Sequence, residues 1–304
     1  MRFETITSVF FVSLAFISCN KNKVRSKPNV ILIMADDMGY ECLSCYGNQS
    51  YKTPVLDSLA SHGMLFGQCH SQPLSTPSRV KLMTGLYNYR NYDRDQRYSR
   101  DTAYFKEMVA YAGKIVGKIA AKLKALELDD KTILIFTGDN DTNRSIYSRT
   151  NKGIIRGGKG NTIDAGTHVP LMVYWPQSIE KGSVYNGLIE FSDFFPTMAE
   201  IAGKKVNCDG RSFYQLLTGS AYKPRKTLSV HYDPRWSKNV NQYRNQFVRT
   251  IDYKLYSDGR FFDLSHDLAE KHPLPADSLS STEKVTFVFL TNELNKHPVW
   301  VRKD

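Results

Sequence analysis

Apolar residues fall into two kinds of run along this chain, and the alternation between them predicts a layered α/β fold. Asn29-Val30-Ile31-Leu32-Ile33-Met34-Ala35 and Thr132-Ile133-Leu134-Ile135-Phe136-Thr137 are continuous apolar stretches without polar alternation. Runs of that kind are strands of a mostly parallel sheet, buried on both faces. Helical patterns lie between and after them. One begins at Pro54-Val55-Leu56-Asp57-Ser58-Leu59-Ala60, one is carried by Tyr104, Met108, Tyr111, Ile115 and Ile119, and one runs from Ser192 to a closing Gly203. From about Lys226 the pattern changes to short alternating strands: Thr227–Tyr232, Gln246–Ile251, Tyr253–Ser257 and Phe261–Leu264, with a turn at Asp258-Gly259 and a helix near Ser281–Leu294. The expected architecture is a large α/β domain followed by a small C-terminal antiparallel-sheet subdomain.

Each long apolar run ends in acids. Asp36-Asp37 follow the first, and Gly138-Asp139-Asn140 follow the second. Ligands of doubly wound sheets gather beyond the carboxyl ends of the strands, so two such ends from distant sequence can converge on one ion. Oxygen donors without histidine or thiolate suit calcium better than zinc. Either pair alone reads rather as a loop cap or turn starter. Between them lies Ser75-Thr76-Pro77-Ser78-Arg79. Thr76 reads as an N-cap and Pro77 as the first helical residue, which puts Ser75 just ahead of a helix N-terminus, where free N–H groups favour negative charge. Arg79 follows one turn later on the same face. Arg156-Gly157-Gly158-Lys159-Gly160-Asn161 is a glycine-rich loop that lets a lysine and backbone amides approach an oxyanion, but it lacks the trailing Lys-Ser/Thr of a nucleotide P-loop.

Ser75-x-Pro77-Ser78-Arg79 followed by Leu82-Met83-Thr84-Gly85 resembles the sulfatase signature in its serine form. The resemblance implies an alkaline-phosphatase-like (sulfatase) sandwich. It also implies that a serine-type formylglycine-generating enzyme converts Ser75 to formylglycine (3-oxoalanine). One hydroxyl of the hydrated aldehyde would attack sulfur, and the other would later expel the sulfate. Asp36, Asp37, Asp139 and Asn140 would then hold calcium. The segment Asp164-Ala165-Gly166-Thr167-His168-Val169-Pro170, continued by Leu171–Pro176, resembles the family stretch that carries the sulfate-binding lysine, and this gives Lys159 that role. Asp141 stands where the family usually has glycine and is expected to be solvated. The implied activity is hydrolysis of an aryl or carbohydrate sulfate ester. Two readings stand beside it: a remnant that binds sulfated ligand without turnover, and a phosphodiesterase or phosphonate hydrolase on the same fold.

The resemblance breaks near Asp93–Gln96. Residues 85–92 match the family stretch just after the signature helix, whereas Tyr98–Leu128 match a helix that comes much later in the family. A shortened catalytic domain is therefore expected, lacking the family's Gly-Lys-x-His segment and a second histidine. Such a loss should leave apolar faces of the sheet uncovered. Gly113-Lys114 and Gly117-Lys118 look superficially similar but belong to the helical pattern and read as surface lysines. His168 and His231 are the candidates for a residual acid, each equally a hydrogen-bonded structural histidine. His62, His70, His266, His272 and His297 have no motif around them.

With 304 residues, 41% of them hydrophobic, the chain suits one large domain and a small one. Residues 1–19 read as an export signal, either a lipoprotein type ending in Cys19 or a plain cleavable one, and its apolar run is too short to span a bilayer. A basic tether (20–28), the catalytic domain (29–225) and the subdomain (226–304) follow. The expected location is the periplasm, or a membrane reached only through a lipid on Cys19. Cys42-Leu43-Ser44-Cys45, with Cys69 and Cys208, reads as loop packing or one disulfide. The net charge of +11 suits an acidic partner such as a sulfated small molecule or glycan, and no motif points to nucleic acid. His231-Tyr232-Asp233-Pro234-Arg235-Trp236 is either a sugar-facing wall or a packed turn.

Overall fold

The computed structural model describes residues 27–87, 105–233 and 245–297. The export signal, most of the tether, the break near Asp93–Gln96, Tyr104 and Pro234–Trp236 lie outside the described residues.

Among the described residues seven strands belong to the first domain: β1 (Asn29–Ala35), β2 (Met64–His70), β3 (Thr132–Gly138), β4 (Tyr147–Thr150), β5 (Gly153–Arg156), β6 (His168–Tyr174) and β7 (Ser183–Glu190). Five of them form the central sheet in the order β1-β3-β6-β2-β7, and β4 and β5 make a separate hairpin. β1 runs parallel to β3 and β2 parallel to β7, while β6 runs against both of its neighbours. β6 is reversed because it leaves a short helix, Asp164–Thr167, at the carboxyl end of the sheet.

The helices of this domain are α1 (Pro54–His62), α2 (Ser75–Thr84), α3 (Phe105–Ala125), α4 (Asp164–Thr167), α5 (Phe194–Ile201) and α6 (Tyr214–Leu217). β3 shows why its run is apolar throughout. Ile133 and Ile135 join Leu82 of α2 and Phe194 of α5 on one face, while Leu134 and Phe136 join Leu56 of α1 and Val109 of α3 on the other. The expectation of a fully buried first strand fails. β1 lies at the margin of the sheet, its side chains are only partly buried, and among the described residues nothing pairs with its outer edge.

α3 also differs from its sequence pattern. Its buried stripe is Phe105, Val109, Gly113 and Val116, whereas Met108 (55% exposed), Tyr111 (61%) and Ile115 (40%) face outward. The small residues decide this. Gly113 and Gly117 face α1, where a Cβ on Gly117 would lie 3.0 Å from Val55, so the two helices approach through glycine and the larger side chains are turned away. Lys114 and Lys118 are exposed, as expected. Uncovered apolar surface also appears on β7 at Val184.

In the subdomain β8 (Leu228–Tyr232), β9 (Asn245–Arg249), β10 (Tyr253–Tyr256) and β11 (Phe261–Asp263) form an antiparallel sheet in the order β11-β10-β9-β8, backed by α7 (Ser281–Leu294). Gly259 takes φ +90° in the β10–β11 turn, a conformation that glycine adopts without strain. Ser280 and Glu283 close a capping box at the start of α7. Leu188 of β7 packs among Leu228, Val230 and Phe247, which fastens the subdomain to the central sheet. No helix among the described residues is long and apolar enough to cross a membrane.

Candidate active site

The carboxyl ends of β1 and β3 lie side by side, with Ala35 paired to Gly138, so Asp36 and Asp139 leave the sheet as neighbours. Asp37 turns with φ +54°, a left-handed conformation uncommon outside glycine, and its N–H donates to Asp139 Oδ1 at 3.1 Å. α2 approaches from the end of β2. Its flanking residue is Leu74 in extended conformation, so Ser75 is the first helical residue. Thr76 is therefore not the cap, and Pro77 sits deeper in the first turn, where its missing N–H still costs no helical bond. Lys159 arrives on the loop between β5 and α4. A Cβ on Gly157 would fall 2.3 Å from the Asn143 carbonyl, and one on Gly158 2.5 Å from the Ala165 main chain, so only glycine permits this path.

Ser75 Oγ lies 2.7 Å from Asn140 Oδ1 and 3.3 Å from Asp36 Oδ1. Arg79 reaches Asp139 at 3.1 Å and Asp36 at 3.4 Å. Lys159 Nζ pairs with Asp37 Oδ1, and Asn140 Nδ2 donates to the same oxygen at 2.8 Å. All seven residues expected at the nucleophile, metal and sulfate positions thus meet in one place. Asp36 and Arg79 keep the cluster open to solvent, with side chains 71% and 55% exposed.

Oxygen ligands of Asp36, Asp37 and Asp139 lie within 4.8 Å of one another. Three carboxylates face only two cationic side chains, which leaves one negative charge over. The single hydrogen of Ser75 cannot serve both acceptors beside it. Burial, with Asp36 adding to it, pushes the Asp139 carboxyl up to about 6, as expected where positive charge is short. These surplus oxygen lone pairs fit a hard cation such as calcium or magnesium.

Of the two candidate histidines, His168 belongs to a second cluster. His168 is buried, with Nδ1 3.2 Å from Asp164 Oδ2 and Nε2 3.0 Å from the Gly67 carbonyl, and its ring stacks on Tyr40. His70 is part of the same buried cluster. Arg249 Nη1 pairs with Asp164. Burial opposes ionisation of Asp164, but Arg249 and then His168 outweigh it and hold the carboxyl well below its ordinary range. Burial, then Arg249 and His168, lower His70 well below the usual histidine value. His168 is therefore built into a structural cluster and is not placed as an acid beside Ser75. His231 is buried on β8 opposite Gln246. Its neighbour Tyr232, pointing to the other face, approaches Gly160.

Asp141 is fully buried, contrary to the expectation of solvation. Its carboxyl accepts the N–H of Gly158, and burial together with Glu41 raises it well above the ordinary carboxylate range. Cys42, Cys45, Cys69 and Cys208 are free thiols, so loop packing is the outcome for the cysteines. The sequence pattern also missed the anchor of α2. Lys81, fully buried, pairs with Glu190, which Arg225 also holds at 2.7 Å, and Arg225 pairs with Asp193. A charge closing the apolar run Leu188-Ile189-Glu190 was the available signal.

A sequence model of the sulfatase family matches residues 28–99 and 91–204, and one described as N-sulphoglucosamine sulphohydrolase, C-terminal, matches 159–296. The chain is 26% identical to an ulvan-active sulfatase of Formosa agariphila, with 76% of this chain and 66% of that relative covered. It thus spans less than two thirds of that relative's length, and only 23% of a mouse steryl-sulfatase. Its fold is shared with a structure solved in complex with its substrate D-glucosamine-2-N,6-O-disulfate (TM-score 0.70, 14% identity, 89% and 98% of the two chains). It is shared equally with a phosphonate monoester hydrolase of Agrobacterium radiobacter (TM-score 0.68, 16% identity, 88% and 95%). With the two family matches together spanning residues 28–204, more than half of the chain, this protein belongs to the sulfatase family and has the alkaline-phosphatase-like fold.

Proposed function

We propose that this protein hydrolyses sulfate esters of a carbohydrate or aryl alcohol at the Ser75 cluster, with calcium held by Asp36, Asp37, Asp139 and Asn140. The observation that carries this reading is the convergence of Ser75, Arg79 and Lys159 on those four oxygen-donor residues. Formylglycine at position 75, made by a serine-type maturation enzyme, would supply an attacking oxygen and a later route for sulfate release. The other residues position and neutralise charge. Arg79, one helical turn from Ser75, keeps its guanidinium against Asp36 and Asp139 and holds positive charge beside the attacked group. Lys159 brings a second cation from the opposite loop, where its ammonium can exchange Asp37 for a sulfate oxygen. The export pattern of residues 1–19 supports action in the periplasm or at a lipid anchor, where sulfated glycans are met.

The phosphonate hydrolase neighbour keeps a second reading in view, since the shared fold does not choose between sulfur and phosphorus. The experiment is co-expression with a serine-type formylglycine-generating enzyme and mass spectrometry of the Ser75 peptide. Loss of two hydrogens from Ser75, with calcium bound, is expected. Unmodified serine together with phosphonate or phosphodiester turnover would favour the second reading.

A further inference from the structure

Asp141 follows Asn140 directly and touches both arms of the site. Its Oδ2 accepts the N–H of Gly158, the residue before Lys159. Its main-chain carbonyl accepts Asn140 Nδ2 at 2.8 Å, which turns Asn140 Oδ1 toward Ser75. Other main-chain ties of the loop end on carbonyls. Lys159 N donates to Thr142 O at 3.0 Å, Gly160 N to Pro73 O at 2.8 Å, and Arg144 Nε to Lys159 O at 2.8 Å.

Behind Asp141 stands Glu41, also fully buried. A Cβ on Gly39 would fall 1.8 Å from Asp141 Oδ1 and 2.1 Å from Glu41 Oε2, so these two oxygens face each other at under 4 Å across a space that only glycine leaves open. The other Glu41 oxygen accepts the hydroxyl of Thr142, which itself accepts the Gly39 N–H at 3.1 Å. These bonds hold Glu41 in place behind Asp141.

We propose that Asp141 is a positioning residue, buttressed by Glu41, that sets Lys159 through the Gly158 amide. The proposal rests on the reading of Lys159 as the sulfate-binding lysine, but the clamp itself can be measured without turnover. A buried amide that loses its acceptor is left unsatisfied, a large local change.

Amide hydrogen exchange of the Gly157–Asn161 segment is compared in the full chain for wild type, Asp141→Ala and Asp141→Asn, alongside titration with inorganic sulfate in calcium. In Asp141→Ala, exchange at Gly158 and Lys159 should rise roughly tenfold or more. Asn keeps an acceptor oxygen for Gly158 and offers an N–H to Glu41, so Asp141→Asn should restore most of the protection. Sulfate affinity should fall about tenfold with Ala and recover with Asn, and adding Lys159→Ala to Asp141→Ala should cost nothing beyond Lys159→Ala alone. Unchanged exchange in Asp141→Ala, additive losses in the double variant, or Asn failing as badly as Ala in a folded protein would each overturn the proposal. If alanine does not fold, Asp141→Leu, which keeps the volume and lacks the acceptor, takes its place. Wild type that binds no sulfate would count against the Lys159 reading, while the exchange result still decides the clamp.

Discussion

Two clusters of ligand-type side chains sit at the same end of the central sheet, and they have opposite characters. Asp36, Asp37 and Asp139 form one, and His70, Asp164 and His168 the other, each compact enough for a metal ion. The second is closed. Asp164 has Arg249 and His168, both nitrogens of His168 have acceptors, and all three members are buried. The first is open to solvent and carries one more negative charge than its two cationic partners cancel. Residue type alone would rank the histidine cluster as the better metal site. Charge balance and access reverse that ranking, because a cation entering the closed cluster would have to displace a buried guanidinium.

Arg249 holds the second cluster together through Asp164. Replacing it by methionine leaves Asp164 buried without its main partner, a change that costs about 3–5 kcal/mol. The denaturant midpoint should fall accordingly while calcium affinity stays near wild type. Calcium tests the other half. At about 100 times its Kd it should stabilise the protein by about 2.7 kcal/mol, read as a rise in Tm that chelation reverses. Asp37→Ala should remove that rise and His70→Gln should not; the opposite pattern would exchange the roles of the two clusters.

A smaller effect lies in pH. The folded-state pKa of His70 is lowered, while the unfolded value is about 6.5. Below about 6.5 the unfolded chain therefore takes up protons that the native state refuses. The contribution of His70 is complete above that value and declines as pH falls, by up to about 1.4 kcal/mol per pH unit, until the folded pKa is passed. In stability measurements between pH 5 and 7, His70→Gln should flatten this slope, provided the fold survives, and an unchanged slope would remove His70 as its source.

Strands β1 and β3, the C-terminal sheet and the chemistry of the open cluster were legible because all are written locally. β3 is buried at every position and apolar from Ile133 to Phe136 since both of its faces are covered, and Asp36, Asp37, Asp139 and Asn140 stand where those apolar runs stop. The features that could not be read depend on contacts between distant residues. The buried face of α3 is set by how Gly113 and Gly117 meet α1, which the spacing of Met108, Tyr111 and Ile115 does not reveal. Asp141 reads as solvent-facing in the sequence because its partners Glu41 and Gly158 come from the first strand's loop and the lysine loop. His168 had the right chemistry and the wrong neighbours. Lys81 hides inside the signature helix, and only the arrival of Glu190 from β7 explains a charge at that buried position.

On the proposed reading the open cluster, with Ser75 as the source of the nucleophile, breaks sulfate esters. The direct measurement is release of inorganic sulfate from an aryl sulfate by protein whose Ser75 has been converted to formylglycine, with Ser75→Ala and chelated enzyme alongside. Calcium-dependent release by the converted protein, absent from Ser75→Ala, is the predicted result. Release that persists in Ser75→Ala, or none from fully converted, calcium-loaded protein, would contradict it.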